Sequence, residues 1–395
     1  MNNKMTFEQI DNNIDGIINQ IAAASADIEA LRRLPESTVT LLKETGVFSM
    51  AMPKSMGGAE LDPINQIKLI EKISRANSAA GWCTMIGSDS GYFAAMLPQE
   101  LATKTYPNPH VISGAALSQT GKARKVAGGY MVSGRWPFVS GCNNAEWLIA
   151  GCKVYDGEDM VLLEGDIPQT LQCFLNMSDL EILDTWHVMG LRGTGSNDVA
   201  LQQEIFVAEE MTFSFQQPRS FQDGALYQFP MAFMFNFSAV PLGVAQSALD
   251  FFLSEANKPT RQVHQAGQFL KGRALKDESF VQGAVGEAAT KLRVLRAFLY
   301  HEVEQIWSLL KQGEMPSPVQ QVAFLAATTE VFSGCQEIVE TLVKCRGGSA
   351  VYQGNPLEQA LRDIVTMNQH AMTSPRNQHQ LGRALLGVPP EQILL

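Results

Sequence analysis

Val281, Val285, Ala288, Leu292, Leu295, Leu299, Val303, Ile306 and Leu310 recur at 4-3-4-3-4-4-3-4 spacing. A β-strand repeats its faces every second residue and cannot use that pattern. An α-helix lays those positions along one stripe. The seam predicts a single helix of about thirty residues, about 45 Å long. A second long helix is expected over 319–344, ended by Gly347-Gly348 as a C-cap. Pro356 opens a last helix, which carries Arg362-Asp363 and runs toward His370. The C-terminal part is therefore a bundle of long helices.

The N-terminal part is helical as well. Asp62 before Pro63 is an N-cap with proline at the first helical position, and opens a helix to about Ala76. Ser78 to Leu97 is expected as one apolar, buried helix, before Pro107 and Pro109 break the pattern. Between about 111 and 210 the texture changes to short β-prone runs such as KVAGGYMVSG and AEWLIAGCKV. Gly128-Gly129 marks a hairpin there. Strands this close together, with no helix between them, predict an antiparallel sheet or small barrel. The fold class is α+β, with a helical domain over 1–108, a β domain over 109–215 and a helical bundle over 216–395.

Composition narrows the function classes. The chain has 395 residues, 45% of them hydrophobic, which is enough for two or three lobes. Only 18% are charged, and 17 Met and 20 Phe point to surface buried between subunits. A net charge of −10 without a Lys/Arg patch excludes nucleic acid as a partner. The six cysteines form no CxxC pair, which suits free thiols in a reducing cytoplasm. The polar N-terminus lacks the apolar core of a signal peptide. The apolar run 231–245 falls short of the roughly 20 residues a membrane span takes.

Several chemistries lack their motifs. Gly193-Thr194-Gly195 begins a GxG, but Asp198 stands where a third glycine belongs and no βαβ unit surrounds it. No phosphate loop and no GxSxG elbow occur. His301-Glu302 is followed by Gln305 where a zinc-binding histidine would stand, and no other cluster has metal-ligand spacing.

Two stretches of the β region carry chemistry: GRWPFVSGCNNAEW (134–147) and DTWHVMGLRGTGSND (184–198). Glycines let backbone approach a flat ligand, hydroxyls direct single hydrogen bonds, and aromatics supply stacking area. A planar, heteroatom-rich cofactor would be served by that mixture. Two glycine-rich hairpins with aromatic core plugs would show the same composition.

The lobe order, the stretch DTWHVMGLRGTGSNDV followed by IFVAEE, and the later RGG…RD segment resemble the acyl-CoA dehydrogenase superfamily over nearly the whole chain. The form of Trp136 to Gly141 is more similar to one branch, the two-component flavin-dependent monooxygenases. The resemblance implies that Trp136, Phe138, Ser140 and Gly141 lie against a flavin, with Ser140 near N5. It places Thr194, Gly195 and Ser196 in a second flavin-contacting turn and Trp82 on the helical side. It also implies that Arg261 meets a flavin phosphate and that Gly347-Gly348 reach a neighbouring subunit's cofactor.

The dehydrogenases of that superfamily need a carboxylate base beside the flavin. Aligning the last helix on Arg362-Asp363 puts the base position at Ala371, which cannot accept a proton. No acid stands at the alternative position near 258–261, and Glu255 is about one turn too early. His370 precedes the vacant position, and an imidazole can donate or accept near neutral pH. It is expected to deprotonate or orient a substrate, or to hydrogen-bond the distal oxygen of a flavin C4a-hydroperoxide. The branch's RDxH pattern has Val365 in place of its second histidine.

The expected activity is oxygenation of a flat aromatic, indole-3-acetate or indole in particular. It would use reduced FAD or FMN from a separate NAD(P)H:flavin reductase, and molecular oxygen. Ser140 and His370 are the candidate catalytic residues. Ser90, His110, Phe235, Asn236 and Arg376 are the candidates for substrate contact. A homotetramer follows from the resemblance. A flavin dehydrogenase or oxidase with a non-standard base, and a non-catalytic binding protein of the same fold, remain as alternatives.

Overall fold

The computed structural model describes residues 5–258, 263–265, 268–270, 274–389 and 391. Arg261 lies outside the described residues. Seven helices come first: α1 (Phe7–Ala23), α2 (Ser25–Leu31), α3 (Glu36–Thr45), α4 (Pro63–Ala76), α5 (Ser78–Ser88), α6 (Ser90–Ala94) and α7 (Gln99–Thr105). Asp62 caps α4 as its sequence implies, its side chain accepting from Asn65 N–H at 3.0 Å. The helix expected over 78–97 is two: α5 ends at Ser88 and α6 starts at Ser90.

The strands follow. They are β1 (Ser113–Val126), β2 (Gly129–Ser133), β3 (Arg135–Val139), β4 (Trp147–Asp156), β5 (Asp159–Met160), β6 (Leu162–Leu163), β7 (Ile167–Pro168), β8 (Thr170–Asn176), β9 (Glu181–Leu183), β10 (Asn197–Ala200), β11 (Ile205–Ala208) and β12 (Thr212–Phe213). The main sheet runs β11-β2-β1-β4-β8-β12, with β5 on β4. Most pairs are antiparallel and the predicted hairpin is present: β1 meets β2 at Val126–Gly129, with Gly128 in the turn at φ +76°. One pairing departs from expectation, since β1 and β4 run parallel. A smaller sheet, β3-β10-β9, brings the two polar-aromatic stretches side by side.

Two short strands, β13 (Val263–Gln265) and β14 (Gln268–Leu270), come between helices α8 (Ala239–Ala256) and α9 (Ser279–Lys311). Then come α10 (Pro318–Arg346), α11 (Pro356–Met367) and α12 (Arg376–Leu385). The predicted seam of α9 is buried at every position except Val285, which is half-buried. It packs within this chain, beside residues of α10 such as Phe332, Cys335 and Val339. The apolar run near 231–245 extends further than its sequence suggested. Residues Ala232–Ala256 match a membrane span in length and composition, and 89% of the most apolar window is buried in the protein. It is a core segment, with Val240, Leu242, Ala245 and Phe252 inside.

Two further corrections bear on the site. Helix α11 stops at Met367, so His370 is not helical; it caps a short 3-10 turn, Ala371–Thr373. Pro356 does not open the last helix, because α12 follows.

Candidate active site

The β3–β10 pair sets the first half of the site. Gly141 N–H donates to Thr194 O at 2.8 Å and fixes one stretch on the other. Gly141 and Gly195 both hold positive φ, +70° and +54°, a conformation glycine adopts without a Cβ clash. Above them Trp82 of α5 points its indole Nε1–H at Ser140 Oγ, 3.1 Å away. Ser140 Oγ lies 2.8 Å from Ser196 Oγ, which lies 2.7 Å from Thr194 Oγ1. Thr194 Oγ1 donates to the Leu191 carbonyl at 2.8 Å.

These contacts have a forced direction. A hydroxyl owns one proton. Thr194 gives its proton to Leu191, so Ser196 must donate to Thr194, and Ser140 must donate to Ser196. Trp82 can only donate. The row is polarised from Trp82 through Ser140, Ser196 and Thr194 to Leu191. Ser140 is left with one free lone pair and no free proton.

Asp363 anchors the end of that row. Leu191, a non-glycine residue at φ +51°, donates its N–H to Asp363 Oδ1 at 2.6 Å. Ser78 donates its hydroxyl to Asp363 Oδ2. Burial raises the carboxyl's pKa to about 6, opposed by those two hydrogen bonds. Arg362 is tied to Glu29, Glu358 and the Met189 carbonyl. Gly190 passes so close to this pair that an added Cβ would meet Arg362 O at 2.1 Å. The Arg-Asp pair thus clamps loop 189–191 onto α11 and does not enter the site itself.

His370 closes the helical side. Its ring stands 6.0 Å from Trp82 and 4.8 Å from Phe237, and Phe237 lies 5.3 Å from Trp82 and stacks on Phe332. His370 is exposed as a residue, yet neighbouring atoms crowd its ring, so the imidazole sits at the open edge of this aromatic group. Crowding alone pushes its pKa down to about 4, and no charged group contributes. Met372 N–H donates to Nδ1 at 3.2 Å, so the neutral ring carries its proton on Nε2. That tautomer offers a hydrogen-bond donor at Nε2. It disfavours the expected proton abstraction there, because Nε2 holds no free lone pair.

The structure sorts the other expected residues. Trp136 is a correction: it is fully buried in the β core, and its Nε1–H is spent on Gly151 O at 2.8 Å. Phe138 is 69% exposed, held outward by φ +60°, and meets Trp186 edge-on. Phe235 is core, against Phe229 and Phe324. Ser90 spends its proton on Gly87 O and accepts from Ser113 N–H, joining α6 to β1. Arg376 is exposed and paired with Glu391 at 2.8 Å. His110 is half-buried, its pKa lowered by burial and by Lys43, and among the described residues it makes no hydrogen bond to Trp82 or His370. These four do not form one substrate pocket. Asn236 is fully buried beside Phe237 and keeps its place as a candidate. Gly347 does cap α10, at φ +70°, and both glycines of that pair are exposed. Phe237 falls in the apolar run 231–245 and Trp186 in the stretch 184–198, but nothing in the sequence singled out the rings that meet His370 and Phe138.

A cavity of about 1240 Å³ opens elsewhere, between α2, α8 and α11, and its lining contains neither Trp82, Ser140 nor His370.

The residues present fit a flavin. An exposed aromatic on a strained backbone, half-buried Trp186, two left-handed glycines and a hydroxyl with a free lone pair form one edge. Ser140, Gly141, Thr194, Gly195 and Phe138 would hold the ring system, with Trp82 and His370 across the cleft.

The comparisons with known proteins agree. Residues 11–101 match the acyl-CoA dehydrogenase N-terminal domain and residues 235–375 the acyl-CoA dehydrogenase C-terminal domain. The chain is 28% identical to an indole-3-acetate monooxygenase of Pseudomonas putida, over 95% of this chain and 93% of that one. It is 27% identical to the flavin-dependent monooxygenase oxygenase subunit HsaA of Rhodococcus jostii, over 95% and 98%. The crystal structure of 3-HSA hydroxylase from Rhodococcus sp. RHA1 superposes with a TM-score of 0.86 at 25% identity, covering 97% of this chain and 98% of that one. These relatives are named as monooxygenases or hydroxylases, HsaA as flavin-dependent, which makes the chain an oxidoreductase by family, and XiaF from Streptomyces sp., of the same fold at 21% identity and a TM-score of 0.88, was solved with FADH2. On these grounds the chain belongs to the acyl-CoA dehydrogenase superfamily, in its two-component flavin-dependent monooxygenase branch.

Proposed function

We propose that this oxygenase component hydroxylates a flat aromatic substrate, indole-3-acetate or indole among the first to test, with reduced flavin delivered by a separate NAD(P)H:flavin reductase. The observation that carries this reading is His370: a neutral imidazole with a donor Nε2–H, across Trp82 from the Ser140 hydroxyl row, with no charge acting on it. Proton abstraction from an acyl thioester needs a carboxylate at such a place, and Ala371 stands there instead. When bound, reduced flavin supplies oxygen activation, which we assign to a C4a-hydroperoxide. The chain's own residues do the rest. Ser140 accepts a hydrogen bond at its free lone pair. His370 Nε2–H orients the incoming oxygen or the substrate. Phe237, Trp82 and Phe332 exclude water from the cleft.

The test loads the protein anaerobically with reduced FMN or FAD, mixes it with oxygen and follows flavin absorbance. A transient distinct from oxidised flavin, shortened by indole-3-acetate or another aromatic, is expected. Immediate reoxidation indifferent to aromatics would overturn the reading.

Replacing His370 with alanine should cut hydroxylated product per flavin oxidised by about tenfold or more, with flavin affinity near wild type. Because its pKa is held at about 4, His370 should put no inflection into the yield between about pH 5 and 8; yield should fall only as pH drops through about 4. An inflection near pH 6.5 that vanishes in His370→Ala would count against the neutral ring.

We also propose a homotetramer and a cytoplasmic setting. The seam of α9 is used up inside the chain, but its outer face leaves Phe280, Val294 and Phe298 exposed at 64%, 59% and 38%. Such a row supports a subunit contact. Sedimentation at about four times the chain mass is the expected outcome, and monomer mass would refute it. Six unpaired cysteines suit a reducing compartment.

A further inference from the structure

Among the described residues five that are not glycine hold a left-handed backbone, and three of those five meet at Trp186. Arg32, at φ +54°, gives an Nη1–H to the Trp186 carbonyl at 3.2 Å. Leu191, at φ +51°, takes the Trp186 Nε1–H on its own carbonyl at 3.0 Å. Phe138, at φ +60°, sets its ring edge-on to the indole, 6.3 Å away. A fourth hold comes from Asn197 Oδ1, which accepts the Trp186 backbone N–H at 2.9 Å. In the left-handed region Cβ crowds the following carbonyl oxygen. Such residues persist where the surrounding structure fixes them, and they gather at functional sites. Every polar group of Trp186 is answered, yet the residue is only half-buried. It is built as a fixed wall with one side open.

The backbone gives no reason for arginine at position 32. The residue caps α2 in a left-handed conformation that glycine adopts without strain. The side chain supplies the reason. Its guanidinium forks onto Asp184, Nη2 to Oδ2 at 3.0 Å and Nη1 to Oδ1 at 2.8 Å, and Nη1 also reaches the Trp186 carbonyl. The main chain around it packs on the flavin turn. A Cβ added to Gly195 would meet the Arg32 carbonyl at 3.1 Å, and one added to Gly193 would meet Ile28 of α2 at 2.1 Å. The end of α2 is therefore the seat of the Gly193–Gly195 turn and, through Arg32, of the loop that carries Trp186.

We infer that Arg32 is a positioning residue for the flavin: it holds Trp186 as a wall of the ring site through the Trp186 carbonyl, with its fork steadied by Asp184. This rests on the flavin edge assigned above to Phe138, Trp186 and Gly195. Asp184 is 67% exposed, so the ion pair adds little to global stability, and its effect falls on the aim of the loop.

The test is anaerobic titration with reduced FMN and with reduced FAD, with urea unfolding measured alongside. Arg32→Gln should weaken reduced-flavin binding about fivefold or more, with its unfolding midpoint near wild type. Arg32→Lys keeps the charge without the fork and should recover only part of that loss. Asp184→Asn alters an exposed carboxylate and keeps the idea testable where Arg32→Gln does not fold; it should weaken binding about twofold or more. Unchanged affinity in the folded variants, or affinity lost only in step with the unfolding midpoint, as a merely structural residue would give, overturns the assignment. Protein carrying 5-fluorotryptophan adds a local readout, the Trp186 signal being the one absent from Trp186→Phe. That signal should move when reduced flavin binds, and a signal that stays put while flavin binds overturns the assignment too. None of these readouts needs turnover. A moving Trp186 signal without any oxygenated product would leave Arg32 in its role and remove the hydroxylase reading.

Discussion

Alanine at position 363 should be more damaging than asparagine, by about 2–4 kcal/mol of unfolding free energy at neutral pH. Asp363→Ala leaves the Leu191 N–H and the Ser78 hydroxyl buried without their acceptor. Asp363→Asn keeps a carbonyl oxygen for Leu191 and turns an amide toward Ser78. The difference should appear in flavin binding as well. Leu191 receives the last proton of the hydroxyl row and also the Trp186 Nε1–H at 3.0 Å. Freeing its N–H lets the 189–191 loop move, so Asp363→Ala should lose flavin affinity while Asp363→Asn holds it. Equal stability of the two variants in urea would show that the clamp lies elsewhere.

The charge gives the same residue a pH signature. Its pKa is raised in the folded protein, from 3.8 to about 6. A raised carboxyl favours folding where it is protonated. Its stabilising share is present below about pH 4 and is lost as pH rises through about 6. The ionised form therefore costs about 3 kcal/mol at neutral pH. Asparagine carries no such cost. Asp363→Asn should gain on wild type as pH rises from about 4 to 7, and should equal or exceed its stability at pH 7.

How far the sequence reaches can be judged from particular residues. The α9 seam and the Asp62-Pro63 cap were legible because helix periodicity and capping are local. The end of α11 was not. No proline or glycine stands at 368–374; the helix stops where Asn368 Nδ2 bonds across to Phe332 O and Thr373 Oγ1 turns back onto the His370 carbonyl. The parallel β1–β4 pair was hidden for a similar reason, since pairing direction is decided by partners distant in the chain. In the site, residue type was legible and facing was not. Trp136 and Phe138 lie two apart on β3, which should place them on one face. The positive φ at Phe138 breaks the alternation and leaves one in the core and the other outside. Ser90 had the right chemistry, but backbone partners use up its hydroxyl. Ser140 could be named from its motif, whereas the direction of its proton needed Trp82, Ser196, Thr194 and Leu191 in place.

That direction leads to the second large effect. Ser140 as arranged can accept one hydrogen bond and donate none to a ligand. Reduced flavin presents N5–H, a donor; oxidised flavin presents a bare N5, an acceptor. With Ser140 facing N5, as we propose, wild type should prefer the reduced form. Ser196→Ala removes the acceptor that takes up the Ser140 proton. The freed hydroxyl can then turn and donate toward the cofactor. The ratio of oxidised-flavin to reduced-flavin Kd should fall by roughly five- to tenfold, the worth of about one hydrogen bond. Thr194→Val should act in the same direction, because Ser196 then regains a proton choice and the row loses its fixed sense. Anaerobic titration of the protein with each flavin form measures both constants without any turnover. An unchanged ratio in Ser196→Ala, with both affinities intact, would mean that Ser140 does not meet N5 and that the polarity of the row serves the loop alone.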